Sequence, residues 1–399
     1  MLFNRKYYDV IVVGLGAMGS ASLYQLATQL TGKGKKVLGI DQLAPPHNMG
    51  STHGGSRITR QAYYEGKEYI PILKHSYDLW RKIENDSQSR FFEITGGLMM
   101  GSRTNSIVDK SEMSAKAYDL PYEIFDYKEI KKRYPMFKAN TNTWALLDKL
   151  AGYLEPEAGV TKQLELAVKE GAEVNTNEQV QFWDAENYAK GIRVKTNKGD
   201  YIAEKLIVTT GPWAKGMMQE LGITLKPERL IQFWMKPTSN ASAFLPAHFP
   251  IFLWNVEKNL DVYGFPAKDG IEQGCKVAFY PHQDHEMREF CSAYNIDREV
   301  HDKDVELIRK YLAQYVPELN GECLKTAVCM HTESPDLHPI IDFHPEYRNV
   351  CIANGFSGHG FKYSNVAGQI LADLTINGKS DFDISLFRAD RFSSRLSQQ

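Results

Sequence analysis

A short β-branched run followed at once by three spaced glycines constrains this chain more than any other feature. The run Val10 to Val13 reads as a fully buried parallel strand. Gly14, Gly16 and Gly19 then form G-x-G-x-x-G. Gly14 allows the tight turn, Gly16 lets a pyrophosphate approach the backbone, and Gly19 lets the next helix, Ser20 to Leu30, pack close to the strand. Such a helix aims unpaired N–H groups and its positive end at phosphates. A second strand, Lys36 to Ile40, ends at Asp41, roughly 20 residues past the last glycine, where a carboxylate binds ribose hydroxyls. The glycines alone would fit any βαβ turn. The strand before them, the helix behind and the acid downstream favour dinucleotide binding. An acid at position 41 disfavours a 2′-phosphate, so FAD or NAD is expected and NADP is not.

The chain's 399 residues suit two or three domain-sized units, or two interleaved ones. A formal charge of −2 offers no footprint for nucleic acid or an anionic membrane surface. Cys275, Cys291, Cys323, Cys329 and Cys351 are an odd count with no C-x-x-C, which indicates neither a disulfide framework nor a zinc site, and no other metal is expected. A reducing cytoplasm suits them. The first residues, MLFNRKYYDV, run straight into the expected strand without a signal peptide's apolar core, and no apolar run approaches the ~18 residues of a membrane span.

After Asp41 the stretch 42–57, rich in proline and glycine, is expected as a long functional loop. Glu68 to Glu84 has a helical apolar face, and Phe91 to Gly101 is strand-like. Val160 to Gly171 reads as a helix, and Glu173 to Thr176, Gly191 to Thr196 and Lys205 to Thr210 as strands. The last of these is a buried run suggesting return to the nucleotide-binding sheet. Four short strands between Leu230 and Phe279 at hairpin spacing suggest an antiparallel sheet in a separate domain, followed by a helix from Asp302 to Tyr315. Val350 to Ala353, a glycine turn from Gly355 to Gly360 and a helix from Phe361 to Ile376 form a second strand–glycine-loop–helix unit. Both termini therefore close one nucleotide domain. The expected division is 1–85, 150–222 and 325–399 for that domain, against 86–149 and 223–324 for a substrate domain.

The motifs GSTHGGSRITR, AVCMHTESPD and GFSGHGFK, with DFDISLF near the end, make nearly the whole chain similar to the sarcosine oxidase family of FAD enzymes, which oxidise N-methyl and cyclic secondary amino acids. The resemblance implies an α/β fold, with an FAD-binding Rossmann-like domain of glutathione-reductase type joined to a mixed-sheet substrate domain. It implies flavin attachment through Cys329, although a lone cysteine in an apolar run is by default a small buried hydrophobe. It places Arg57 and His53 against the flavin and Arg60 at the substrate carboxylate, where a guanidinium binds bidentately. Lys362 would share that carboxylate. The resemblance also puts Ser51, Gly358 and Gly360 among the flavin contacts, Lys276 at the site of oxygen reaction, and Tyr263 in the substrate pocket. A strand lysine is otherwise a solvated one, and Tyr263 could equally be a packing residue. If Arg57 opens a helix, Arg57 and Arg60 share a face. Relatives acting on small amines carry a histidine four residues after the lysine; here that place holds Tyr280, with His282 two further on.

The expected reaction is oxidation of a secondary α-amino acid to an imine, with O2 reduced to hydrogen peroxide. Amino acid and O2 are the expected partners, and a monomer the expected state. The competing readings are a flavin dehydrogenase using another acceptor, an NAD-dependent dehydrogenase and a non-catalytic FAD-binding subunit.

Overall fold

The computed structural model describes residues 6–185, 191–282 and 284–392. At its centre lies the strand Lys6–Val13, buried on both faces from Val10 onward. It pairs in parallel with Val37–Ile40 on one side and with Asp200–Val208 on the other. The end of Asp200–Val208 pairs in parallel with Val350–Asn354, so the N-terminal, middle and C-terminal parts of the chain meet in one eight-stranded sheet. The middle run has therefore returned to the first strand, as the buried pattern of KLIVTTG suggested.

Helix Ala17–Leu30 follows the glycine turn and starts earlier than Ser20 because Gly16 is its N-cap. It packs against the C-terminal helix Ser364–Asn377 so closely that a Cβ on Gly368 would lie 2.4 Å from the Ala21 Cβ. Residues 361–363 precede that helix as a single 3-10 turn, which carries Lys362.

A second eight-stranded sheet runs, in order, Cys323–Glu333, Lys226–Met235, Cys275–Pro281, Leu260–Gly264, Ile251–Glu257, Gly97–Gly101, Trp144–Asp148 and Tyr122–Phe125. The four hairpin-spaced strands are antiparallel to one another, but Ile251–Trp254 runs parallel to Gly97–Met100, so the sheet is mixed. Helix Asp302–Tyr315 contributes Ile308 and Leu312 to the apolar core of this sheet. The residues from Phe91 to Gly101 split between two sheets: Phe92–Ile94 joins Gly152–Leu154 and Arg57–Thr59 in a small third sheet. Arg57 thus opens a strand and not a helix, because its backbone pairs with Leu154. Cys323–Glu333, which no sequence feature marks as a strand, is the longest strand among the described residues, and the expected boundary at residue 325 falls inside it. No helix among the described residues is long and apolar enough to cross a membrane.

Candidate active site

One cavity of about 380 Å³ runs from the glycine turn to the C-terminal glycine loop. Its first end is built from backbone. A Cβ on Gly19 would stand 1.7 Å from the Gly14 carbonyl oxygen, so only glycine lets the helix start this close to the strand. Gly14 and Gly16 line the cavity, and the helix beyond them has no acidic residue in its first turn, leaving its N–H groups to an anion. Asp41 stands at the end of the second strand, where its carboxylate accepts the N–H groups of Leu15 (2.7 Å) and Leu43 (2.8 Å). Further along, Asn354 is 1 % exposed and lines the cavity, and neither its amide nitrogen nor its amide oxygen has a partner among the described residues. A buried side-chain amide left in this state needs a polar ligand. The glycine turn and the acid are the fittings that a dinucleotide such as FAD takes, and the amide offers it a further polar partner.

The middle of the cavity gathers charge. The Arg57 guanidinium donates to the Ser51 carbonyl (2.9 Å) and lies 3.4 Å from the Cys329 sulfur. Burial raises the Cys329 thiol's pKa, but Arg57, His53 and Lys276 outweigh burial and bring it down to about 7. That is the electropositive surrounding a reactive thiolate requires. Lys276 lies behind this cluster and not on the cavity wall, on the strand Cys275–Pro281. It donates to the carbonyl oxygens of Gly54 (3.0 Å) and Ser56, with its ammonium 4.3 Å from the Phe265 ring centroid. Burial, and then Arg57, push its pKa far below that of an ordinary lysine. Glu157 accepts from the Gly54 and Gly55 N–H groups and so fixes the loop that carries His53; those bonds hold its carboxyl below the usual range against burial. Tyr263 lines the cavity, its hydroxyl pushed up to about 12 by burial.

At the far end stand Arg60, 2 % exposed, and Lys362, 5 % exposed, both lining the cavity. Arg60 already has an acid: its Nη2 donates to both oxygens of Glu65, at 2.6 and 2.7 Å, while its Nε has no partner among the described residues. Helix Ile70–Asp86 pins the Lys362 backbone, whose carbonyl accepts from Ser76 (2.5 Å) and Trp80 (3.0 Å). Its ammonium donates to the His359 carbonyl. Burial, then Arg60, lower the Lys362 pKa to about 7. Gly358, in the turn before it, has φ +80° and supplies a left-handed backbone that a side chain would strain. A Cβ on Gly360 would meet the Phe356 side chain at 2.5 Å.

Of the two candidates after Lys276, Tyr280 lines the cavity and donates to the Ser357 carbonyl (2.8 Å), tying the second sheet to the glycine loop. His282 lies 2.9 Å from the Asp261 carboxylate instead. His331 was missed from sequence: it lines the cavity beside Tyr280, and its Nε2 lies 3.1 Å from the buried Glu228 carboxylate. Arg288 bonds both Glu228 (2.7 Å) and Glu333, so a guanidinium supplies the positive charge among these acids.

The family described as DAO, FAD dependent oxidoreductase, matches residues 9–374. The chain is 39% identical to a monomeric sarcosine oxidase of Streptomyces avermitilis over 388 residues, covering 97% of this chain and 98% of that protein. It is 32% identical to an N-methyl-L-tryptophan oxidase of Yersinia pestis, covering 96% and 99%. Among solved structures, an L-proline dehydrogenase from P. horikoshii shares the fold with TM-score 0.81 at 21% identity, covering 98% and 99%.

Proposed function

Because the chain belongs to the DAO family of FAD-dependent oxidoreductases, we propose that it is a sarcosine oxidase-like enzyme. It oxidises the C–N bond of a secondary α-amino acid, N-methylated or cyclic, to an imine that water hydrolyses, and it reduces O2 to hydrogen peroxide. The observation that carries this reading is the meeting, in one cavity, of a dinucleotide turn and two buried cations, Arg60 and Lys362. FAD supplies the acceptor for two electrons and a hydrogen. Gly14, Gly16 and Asp41 would hold its dinucleotide part, with Gly19 letting the helix close on it. Ser51, Arg57, Gly358, Gly360 and Lys362 would surround its ring system.

Arg60 and Lys362 bind the substrate carboxylate, the Arg60 Nε offering a donor beside the group already given to Glu65. A carboxylate fixed at that end leaves little freedom to the amine end, which turns an encounter into a reactive geometry. Tyr263 forms part of the substrate wall. Negative charge arriving on oxygen nearby would raise the burial-lowered pKa of Lys276 and so hold a proton at its Nζ. Cys329 is the point of flavin attachment, supported by its thiol pKa of about 7 beside Arg57 and His53. A sulfur link at Cys329 would hold the flavin ring covalently beside Arg57 and the Ser51 carbonyl. We read the chain as an FAD-binding part, 1–85, 150–222 and 325–399, and a substrate part, 86–149 and 223–324. A cytoplasmic enzyme fits five free cysteines, and the names of the sarcosine oxidase relatives support a monomer.

Aerobic assays with sarcosine, N-methyltryptophan, pipecolate, proline and primary D-amino acids test the reaction. Peroxide formed from a secondary amine, by a yellow protein, is the expected result. A colourless protein, or no peroxide from any of them, overturns the proposal. Acid precipitation tests the link: flavin should stay in the wild-type pellet and leave the Cys329→Ala pellet.

A further inference from the structure

Two cations buried side by side repel, and only one of this pair has a carboxylate. Arg60 is bonded to Glu65, whereas no carboxylate pairs with Lys362 among the described residues. Something else must hold the second cation close to the first, and the geometry singles out one ring. The Arg60 guanidinium carbon lies 4.3 Å from the Tyr63 ring centroid, and the Lys362 ammonium lies 5.2 Å from it. Both fall within cation–π range, which is roughly 6 Å. The hydroxyl of the same residue works on Lys362 through a second route. His359 Nε2 lies 3.1 Å from the Leu337 carbonyl, so this nitrogen carries the proton and Nδ1 accepts. Tyr63 donates to that Nδ1 at 2.7 Å, and the carbonyl of the same histidine accepts the Lys362 ammonium. Tyr63 is itself fixed, its backbone carbonyl taking a bond from Ser114 (2.6 Å) and its ring packing on Tyr69 at 5.0 Å. It is fully buried and is not among the residues that line the cavity, so it acts through its neighbours.

We propose that Tyr63 is the positioning residue of the carboxylate site, its ring face and hydroxyl holding Arg60 and Lys362 together for one anionic group of the substrate. The inference rests on the reading of those two cations as the carboxylate clamp. Charged and titratable groups facing Lys362 are Arg60, Glu65, His359, Tyr63 and Tyr363. Burial keeps His359 neutral, with a pKa of about 4, and keeps both tyrosines protonated. Near neutral pH the ammonium itself is therefore the group whose charge the ring can sustain.

The test is propionate binding to flavin-loaded protein, read from the flavin absorbance change between pH 5.5 and 9, with propionamide as the uncharged control. Tyr63→Phe keeps the ring but loses the bond to His359, and should weaken propionate binding by about three- to fivefold, less than loss of the ring. Tyr63→Leu should lose about ten- to thirtyfold at pH 6, and its affinity should begin to fall at a lower pH than in wild type, with propionamide unaffected. Wild-type propionate affinity and pH profile in Tyr63→Leu, with binding lost in Arg60→Met, overturn the role of Tyr63 alone. Unchanged propionate binding in Arg60→Met overturns the clamp itself. Should Tyr63→Leu not hold flavin, stepwise fluorinated phenylalanines at position 63 keep the shape and drain the ring face. Affinity must then fall with each fluorine, and a flat series overturns the proposal.

Discussion

The two ends of the cavity are made of different material. At the nucleotide end the ligand meets backbone: a glycine turn, the start of a helix and one carboxylate already fixed by two N–H groups. At the substrate end it meets side chains, with buried Arg60 and Lys362, the partly buried Glu65 bonded to Arg60, and Arg57, Lys276 and Cys329 a short distance away. Backbone donors keep their charge at every pH and need no partner side chain. Buried ionised side chains lose solvation and depend on one another for their charge state. The first end should therefore fail through shape, and the second through charge and pH.

The sharpest break of the first kind is Gly19→Val, whose Cβ would sit 1.7 Å from the Gly14 oxygen. Flavin-to-protein absorbance should fall by about tenfold or more, as expected where a side chain enters a position closed to it. Normal flavin content would mean that the turn does not need this approach. Next, Arg60→Met should lower kcat/KM for a carboxylated amine by about a hundredfold or more, the usual scale for removing one member of a buried charge pair. Glu65, held ionised by Arg60 against burial, should then take up a proton. An unchanged rate would move the carboxylate elsewhere.

A smaller effect separates the two ends by pH. Burial holds the Lys362 pKa near 7 against an ordinary 10.5. Below about 7 the ammonium is present before the anion arrives, and propionate affinity should be flat. Above about 7 the site must take up a proton with the anion, until the higher pKa that the bound anion gives the ammonium is passed, so affinity should fall, by up to about tenfold per pH unit. Calorimetry in buffers of different ionisation heat should record that uptake, and no uptake at pH 8 would contradict it. Last, Tyr280→Phe removes one bond to the glycine loop and should cost about 1 kcal/mol of stability. A thermal melt unchanged from wild type would remove Tyr280 as a tie between the second sheet and that loop.

The same contrast explains what could be read in advance. The nucleotide end was legible because its signals are local: Val10, the three glycines and Asp41 lie within 33 residues of one another in the sequence. At the other end, Cys329, Lys276 and Lys362 were found through motif resemblance, since strand spacing alone would make Lys276 a solvated lysine. Glu65 was overlooked although it lies five residues from Arg60 in RQAYYE, a signal available in the sequence. Tyr63, His331 and Asn354 could not have been found from position. A tyrosine, a histidine and an amide in apolar surroundings read as packing until the distant segment facing each is known. Arg57 and Arg60, three apart, would share a face only if Arg57 opened a helix, yet its backbone pairs with a strand more than ninety positions away. Tertiary pairing overrode that local pattern.

The account stands on a carboxylate bound by Arg60 and Lys362 beside a flavin. Anaerobic mixing of the protein with sarcosine and with sarcosine methyl ester, following flavin bleaching, tests this most directly. Rapid bleaching by the acid and at least about a hundredfold slower bleaching by the ester at equal concentration is the result predicted, on the scale of a lost buried charge pair. Equal rates for the two, with pipecolate and its ester behaving alike, would contradict it.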